Sequence, residues 1–167
     1  MAKTIISLIV GMSLLMFDLQ AQSPGGGMTP PDFDAEKAAG IFQYDIDKVL
    51  KKLKVKETLD QQAVREALAT YNGKMAALSF THAATFKELE NAFDQNVQIA
   101  MQNRDRSQMY GVLSMIKEIL PPIKRQVEAE ERILNETLAT VLSEKQTEKW
   151  VKYQRRKRSN SFDPSTR

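Results

Sequence analysis

Apolar residues recur along most of this chain at steps of three and four, the spacing of an amphipathic helix buried on one side. Ala38, Ile41, Phe42, Ile46, Val49, Leu50 and Leu53 predict a first helix over residues 34 to about 55. Asp34 suits its N-cap, Glu36 its positive end, and the basic run KKLKVK its negative end. A second helix is expected from Thr58 to about Gln102. Val64, Leu68, Tyr71, Met75, Leu78, His82, Thr85 and Leu89 form a heptad-like seam there, extended by Phe93, Val97 and Met101. Gly73 weakens that helix locally without breaking it. The polar NRDRS at 103–107 reads as a tight reversal, with Asp105 as a cap.

A third helix follows from about Ser107 to Val141, its stripe running through Met109, Val112, Leu113, Ile116, Ile119, Leu120, Ile123, Val127, Leu134, Leu138 and Val141. Pro121 and Pro122 interrupt it. The stripe keeps its phase across them, which predicts a kink, with a break into two helices as the alternative. A last helix should run from Glu144 to about Arg158, followed by an aperiodic tail, 159–167, that reads as frayed. No segment alternates as a strand does. The expected fold is all-α, built of long amphipathic hairpins over residues 34–158.

The N-terminal region reads differently. Lys3, an apolar run over residues 5–17 and the small residue Ala21 have the layout of a secretory signal, expected to cover residues 1–21. The run is shorter than the ~18–20 residues needed to span a bilayer. Residues 22–33, rich in Gly and Pro, read as a flexible tether. Such a signal implies export. The chain has no cysteine, so neither disulfides nor Cys-ligated metals can supplement its core.

Charge is unevenly distributed. Six Lys and Arg residues and no acid lie between Lys149 and Arg158, more than the net +3 of the whole chain. A basic end on an acidic body suits acidic envelope partners, including a membrane surface approached through the C-terminal helix. Lys149, Trp150, Lys152, Tyr153, Arg155 and Arg156 are the candidate partner-binding residues, although Trp150 and Tyr153 are also placed to fold back on the core. Export and the lack of a stacking platform argue against nucleic acid.

Candidate chemistry is sparse. No HExxH, GxSxG or phosphate-cradling loop occurs, and nothing brings acid, base and nucleophile together, so the expectation is a protein without enzymatic activity or cofactor. His82, the single histidine, falls on the seam as a packed or edge residue. Met28, Met75, Met101, Met109 and Met115 form no close cluster and suit core filling or an adaptable contact surface. The acidic Glu128, Glu130 and Glu131 read as a solvated face, with Glu130 at the position the stripe would need. Asn135-Glu136-Thr137 fits a glycosylation pattern but lies inside a helix.

Two capping boxes carry the remaining information. Ser143 with Gln146 closes one, with Leu142 entering from the apolar side, and Thr58 with Gln61 forms the other. Together with an export signal and an all-helical cysteine-free domain, these resemble the Spy/CpxP family of periplasmic stress proteins, whose hallmark is a pair of Leu-Thr-x-x-Gln elements at helix starts. Leu142, Ser143 and Gln146 match with Ser for Thr; in the other copy Thr58 and Gln61 match but Glu57 replaces the Leu. The likeness covers roughly residues 54–158. It implies a cradle of long helices, an antiparallel homodimer, and ATP-independent holding of unfolded envelope proteins on an apolar and basic surface. A periplasmic metal-responsive sensor, with His82 and nearby carboxylates or methionines as ligands, is the alternative.

Overall fold

The computed structural model describes residues 33–105 and 107–161, the last three as backbone only. The expected export signal, nearly all of the tether and the end of the tail lie outside these residues. The described residues contain five helices and no strand: α1 (Ala35–Ala38), α2 (Ile46–Leu53), α3 (Thr58–Asn103), α4 (Gln108–Ala139) and α5 (Glu144–Ser161). The fold is all-α, as the periodicity predicts.

The expected first helix is two. Gly40 stops α1 by taking a left-handed conformation (φ 83°) that costs a residue without Cβ little. The Gly40 N–H donates to the Lys37 carbonyl and the Ile41 N–H to the Glu36 carbonyl, at 2.9 and 3.1 Å, the paired bonds of a Schellman end. Asp45 then restarts the chain as the N-cap of α2, accepting the Lys48 N–H at 3.0 Å. Both signals are in the sequence, but the apolar stripe runs across them. The expected cap at Asp34 is made, accepting the Lys37 N–H at 2.8 Å.

α3 and α4 form a long antiparallel hairpin, about 69 Å and 48 Å at the helical rise of 1.5 Å per residue. Arg104, left-handed at φ 52°, ends α3. Asp105 builds the reversal by accepting from the Ser107 amide (2.8 Å) and hydroxyl (2.7 Å). These bonds hold the Asp105 carboxyl below its ordinary pKa. α4 is a single unbroken helix across Pro121 and Pro122, not the two helices of the alternative. Both prolines and the residues four positions earlier, Lys117 and Glu118, are exposed, so the carbonyls left without an N–H partner face water. That position explains why the helix is not broken. α5 extends to Ser161, three residues beyond the expected end.

The heptad seam does not hold over the length of α3. The residues it buries include Val64, Met75, Phe86 and Val97, spaced eleven apart, while His82 and Thr85 are only half-buried. On α4 the same step links Val112, Ile123 and Leu134, and also Leu120 and Glu131, and it reaches Leu142 in the turn that follows. Eleven residues make three turns at 3.67 per turn, closer to a straight helix than the 3.5 of a heptad, whose seam drifts by ~20° per repeat. Glu131, not Glu130, therefore takes the inward position and is buried, correcting the solvated face expected for it.

α2 and α5 pack toward the end of the hairpin away from the reversal, and α1 lies further along α3, beside Glu90 and Phe93. Leu53, Leu68, Met75, Leu89, Leu138 and Trp150 are among the fully buried side chains of the core. Val97 and Val112 are buried too, but stand apart from that core, in the arm that leads to the reversal. Gly73 lies exposed in α3, and a Cβ there would meet no atom within 4 Å. Gly73→Ala should therefore stabilise the protein by about 0.5–1 kcal/mol, read as a rise in thermal midpoint. A fall would mean the position is not the open helix surface described.

Candidate functional site

The two Gln motifs are built differently. At the second, the Ser143 amide and hydroxyl both donate to Gln146 Oε1 at 2.9 Å, so the glutamine reaches back as expected. The hydroxyl donates to this side chain instead of accepting an N3 amide. Leu142 is buried beneath the turn. At the first, the expected box is not formed. Glu57, not Thr58, occupies the N-cap and makes no side-chain cap bond, because Thr58 is already helical. Gln61 Nε2 instead donates to the carbonyl of Val55 at 2.9 Å, fastening the joint between α2 and α3.

The aromatic residues of α5 face inward. Trp150 is 2% exposed and Tyr153 half-buried, so the first is part of the core and unavailable as a surface contact. They gather on Tyr44, in the α1–α2 connection, with ring centroids at 4.9 Å (Trp150), 6.1 Å (Tyr153) and 5.3 Å (Tyr71 of α3). Asn72 of α3 holds the Tyr44 backbone on both sides: its Oδ1 accepts the Tyr44 N–H, and its Nδ2 donates to the Tyr44 carbonyl, each at 2.8 Å. The Trp150 indole donates to Asn135 Oδ1 at 2.7 Å, tying α5 to α4. That bond gives the Asn135 side chain a packing role.

Beneath the aromatic group lies a polar interior. Glu131 of α4 is ion-paired with Arg158 of α5, whose guanidinium is half-exposed. Burial pushes the Glu131 carboxyl above its ordinary pKa, and Arg158 pulls it partly back. The Tyr44 and Tyr71 hydroxyls and Gln154 Nε2 are buried with no hydrogen-bond partner. Burial raises both phenols well above their ordinary value. Neither Glu131 nor Gln154 stood out in the sequence; the eleven-residue spacing Leu120–Glu131–Leu142 is the signal that locates the first.

Two surfaces are left for partners. One is a flank of α4. Met109, Leu113, Ile116 and Leu120, at steps of four, three and four, lie on one side of the helix. Leu113 is 40% exposed, Met109 and Ile116 are half-buried, and the stripe ends in a groove of about 390 Å³. Ile116, Leu120 and Pro121 line that groove with Lys124, Arg125 and Glu128. The other surface is the outer side of α5, where Lys149, Lys152, Arg155 and Arg156 are all exposed. A cleft of about 510 Å³ beside α1 is lined by Asp34, Glu36, Lys87 and Glu90 among others; Glu90 there accepts the Ala35 N–H at 3.0 Å, a structural bond.

His82 sits at the edge of the hairpin with its ring centroid 6.0 Å from that of Phe86. Among the described residues no group of three or more His, Cys, Asp and Glu could hold a metal ion. Among the same residues no helix is long and apolar enough to cross a membrane.

The fold and these surfaces define an all-helical protein with a long two-helix arm. No known protein family, curated protein or solved structure matches the chain.

Proposed function

We propose that this is a periplasmic, non-enzymatic holding protein that binds unfolded or aggregation-prone envelope proteins without ATP, in the manner implied by its resemblance to the Spy/CpxP family. The observation that supports this reading is the α4 flank. An apolar stripe from Met109 to Leu120, about 17 Å long at the helical rise, runs into a groove edged by Lys124 and Arg125. A folded monomer gains nothing in stability by leaving such a stripe half-covered. Unbranched Met and branched Leu and Ile give a surface that tolerates many partner shapes, and two cations beside them attract acidic residues without demanding one geometry. Exposed apolar groups continue at the arm with Ile99, Met101 and Tyr110. A homodimer pairing two such arms would form the cradle.

Equimolar protein should slow the aggregation of a chemically unfolded client, followed by light scattering. Replacing Leu113 and Ile116 together by Gln should abolish most of that protection. Leu59→Gln, at an apolar residue 84% exposed at the start of α3, should leave it intact. A folded protein that gives no protection at any ratio would sink the reading.

A further inference from the structure

The outer side of α5 is not chemically like the α4 flank. Lys145, Lys149, Lys152 and Arg156 follow one another at steps of four, three and four, so they form a single row along the helix, and all four are exposed. The opposite side carries the buried Trp150 and Gln154, which fixes how the row faces outward. Of the helix's two acids, Glu148 borders the row, three residues after Lys145 and four before Lys152, and Glu144 lies a turn before it.

α2 packs beside α5 and adds to the row. Lys48 lies within electrostatic reach of the Tyr153 phenol, on the flank of α5 that borders the row. Lys52, one turn further along α2, is exposed on the same side. Asp47 points the other way, bonded to Arg65 of α3 at 2.8 Å. Lys48 itself is shared with Asp45 at 3.0 Å. Two neighbouring helices thus present five further cations around it on one outward surface.

We propose that this two-helix basic surface docks the protein on a membrane surface rich in anionic lipid headgroups. The choice of partner follows from what the surface lacks. A protein interface is anchored by buried aromatic or apolar groups, and here Trp150 and Tyr153 are turned inward; only Val151, at 47% exposure, stands near the row. Single-stranded nucleic acid needs aromatic platforms for its bases, and here Trp150 is buried and Tyr153 half-covered beside Tyr44. Anionic headgroups need neither: a fluid sheet of negative charge is held by several lysines acting as point charges, with strong dependence on salt. The docking uses none of the residues of the α4 flank.

The test is cosedimentation of the full chain with vesicles of phosphatidylcholine, with and without 30 mol% phosphatidylglycerol. Any apolar contact of the N-terminal region is common to both vesicles. At low salt, binding to the anionic vesicles should be at least tenfold tighter than to the zwitterionic ones, and most of that difference should vanish at 0.5 M salt. The variant with Lys145, Lys149, Lys152 and Arg156 replaced by Gln should lose at least tenfold. A control with Lys74, Lys87, Lys117 and Arg132 replaced by Gln carries the same net charge and should bind nearly as wild type. Equal binding to both vesicles, or equal loss in the two variants, would overturn the proposal. Polyglutamate captured by the wild-type row while anionic vesicles are not would also overturn it, in favour of an acidic protein partner. Because wild type is compared across vesicles and salt, the outcome does not depend on any variant folding. Client protection in the light-scattering assay is read separately, so either idea can fail alone.

Discussion

Trp150→Ala should destabilise the protein by about 3–5 kcal/mol, the cost typical of truncating a buried large aromatic side chain. Three losses coincide. The indole fills space beside Tyr44 and Tyr153 that no neighbour can fill by small shifts, its N–H bond to Asn135 disappears, and the Asn135 amide oxygen loses its partner in a half-buried setting. The substitution also has a location. Trp150 joins α5 to both α4 and the α1–α2 connection, so amide exchange should accelerate first along α5 and around Tyr44, ahead of the α3–α4 hairpin. Trp150→Phe should recover the packing without the hydrogen bond and lose roughly 1–2 kcal/mol. If Trp150→Ala melted within about 1 kcal/mol of wild type, α5 would not be docked as described.

The second large effect concerns Glu131 and Arg158, and it is asymmetric. Removing Arg158 leaves a buried carboxylate with no counter-charge, and Arg158→Ala should cost about 2–4 kcal/mol at neutral pH. Removing the carboxylate leaves a guanidinium that is already half-exposed and can return to water, so Glu131→Gln should lie within about 1 kcal/mol of wild type, or above it. The pH dependence has a defined sign. The folded carboxyl has a raised pKa, so the folded state holds this proton more tightly than the unfolded chain does. Its contribution to stability is then fully present below the ordinary value of 4.5 and is lost as pH rises through the raised folded value. Without Arg158 the carboxyl climbs further, because the cation that pulls it down is gone. The penalty of Arg158→Ala should therefore be largest at neutral pH and shrink on acidification, as Glu131 takes up a proton. Urea melts of the three proteins at several pH values decide this. A penalty that stays constant down to pH 4, or a Glu131→Gln variant as damaged as Arg158→Ala, would show that the pair is not the buried contact described.

These two predictions rest on residues of unequal visibility in the sequence. Trp150 is conspicuous, and its place one to two turns after Ser143 allows it to fold back on the core. What it packs against is not readable, because Tyr44 lies more than a hundred residues earlier in a segment whose periodicity suggests helix. The stripe from Ala38 to Leu53 is continuous, and only the left-handed Gly40 and the Asp45 cap show that it bends. Glu131 is less visible still. A heptad count places Glu130 inward, and one residue of phase separates a solvated acid from a buried one. The α4 flank lies within the predicted stripe of the third helix; which part of that stripe stays uncovered depends on where α1, α2 and α5 pack.

The all-helical class, α3 and α4 to within about two residues at each end, the start of α5 and the reversal at Asp105 are all legible in the residue pattern. These features follow from local physics: three-and-four periodicity, polar caps and charge at helix ends act within a few residues of where they are written. Even the survival of α4 through two prolines was signalled by a stripe that keeps phase across them. Which way each helix turns its residues is set by packing between segments. Along the 46 residues of α3 and the 32 of α4, a small difference between 3.5 and 3.67 residues per turn rotates the buried face far enough to exchange Thr85 for Phe86 and Glu130 for Glu131. That packing also decided that Thr58 is helical and Glu57 caps, that Gln61 reaches Val55, and that the rings of α5 face inward while its lysines line up beside those of α2. Those outcomes depend on contacts between segments distant in the chain, where neighbours compete for the same space and no short stretch records the winner.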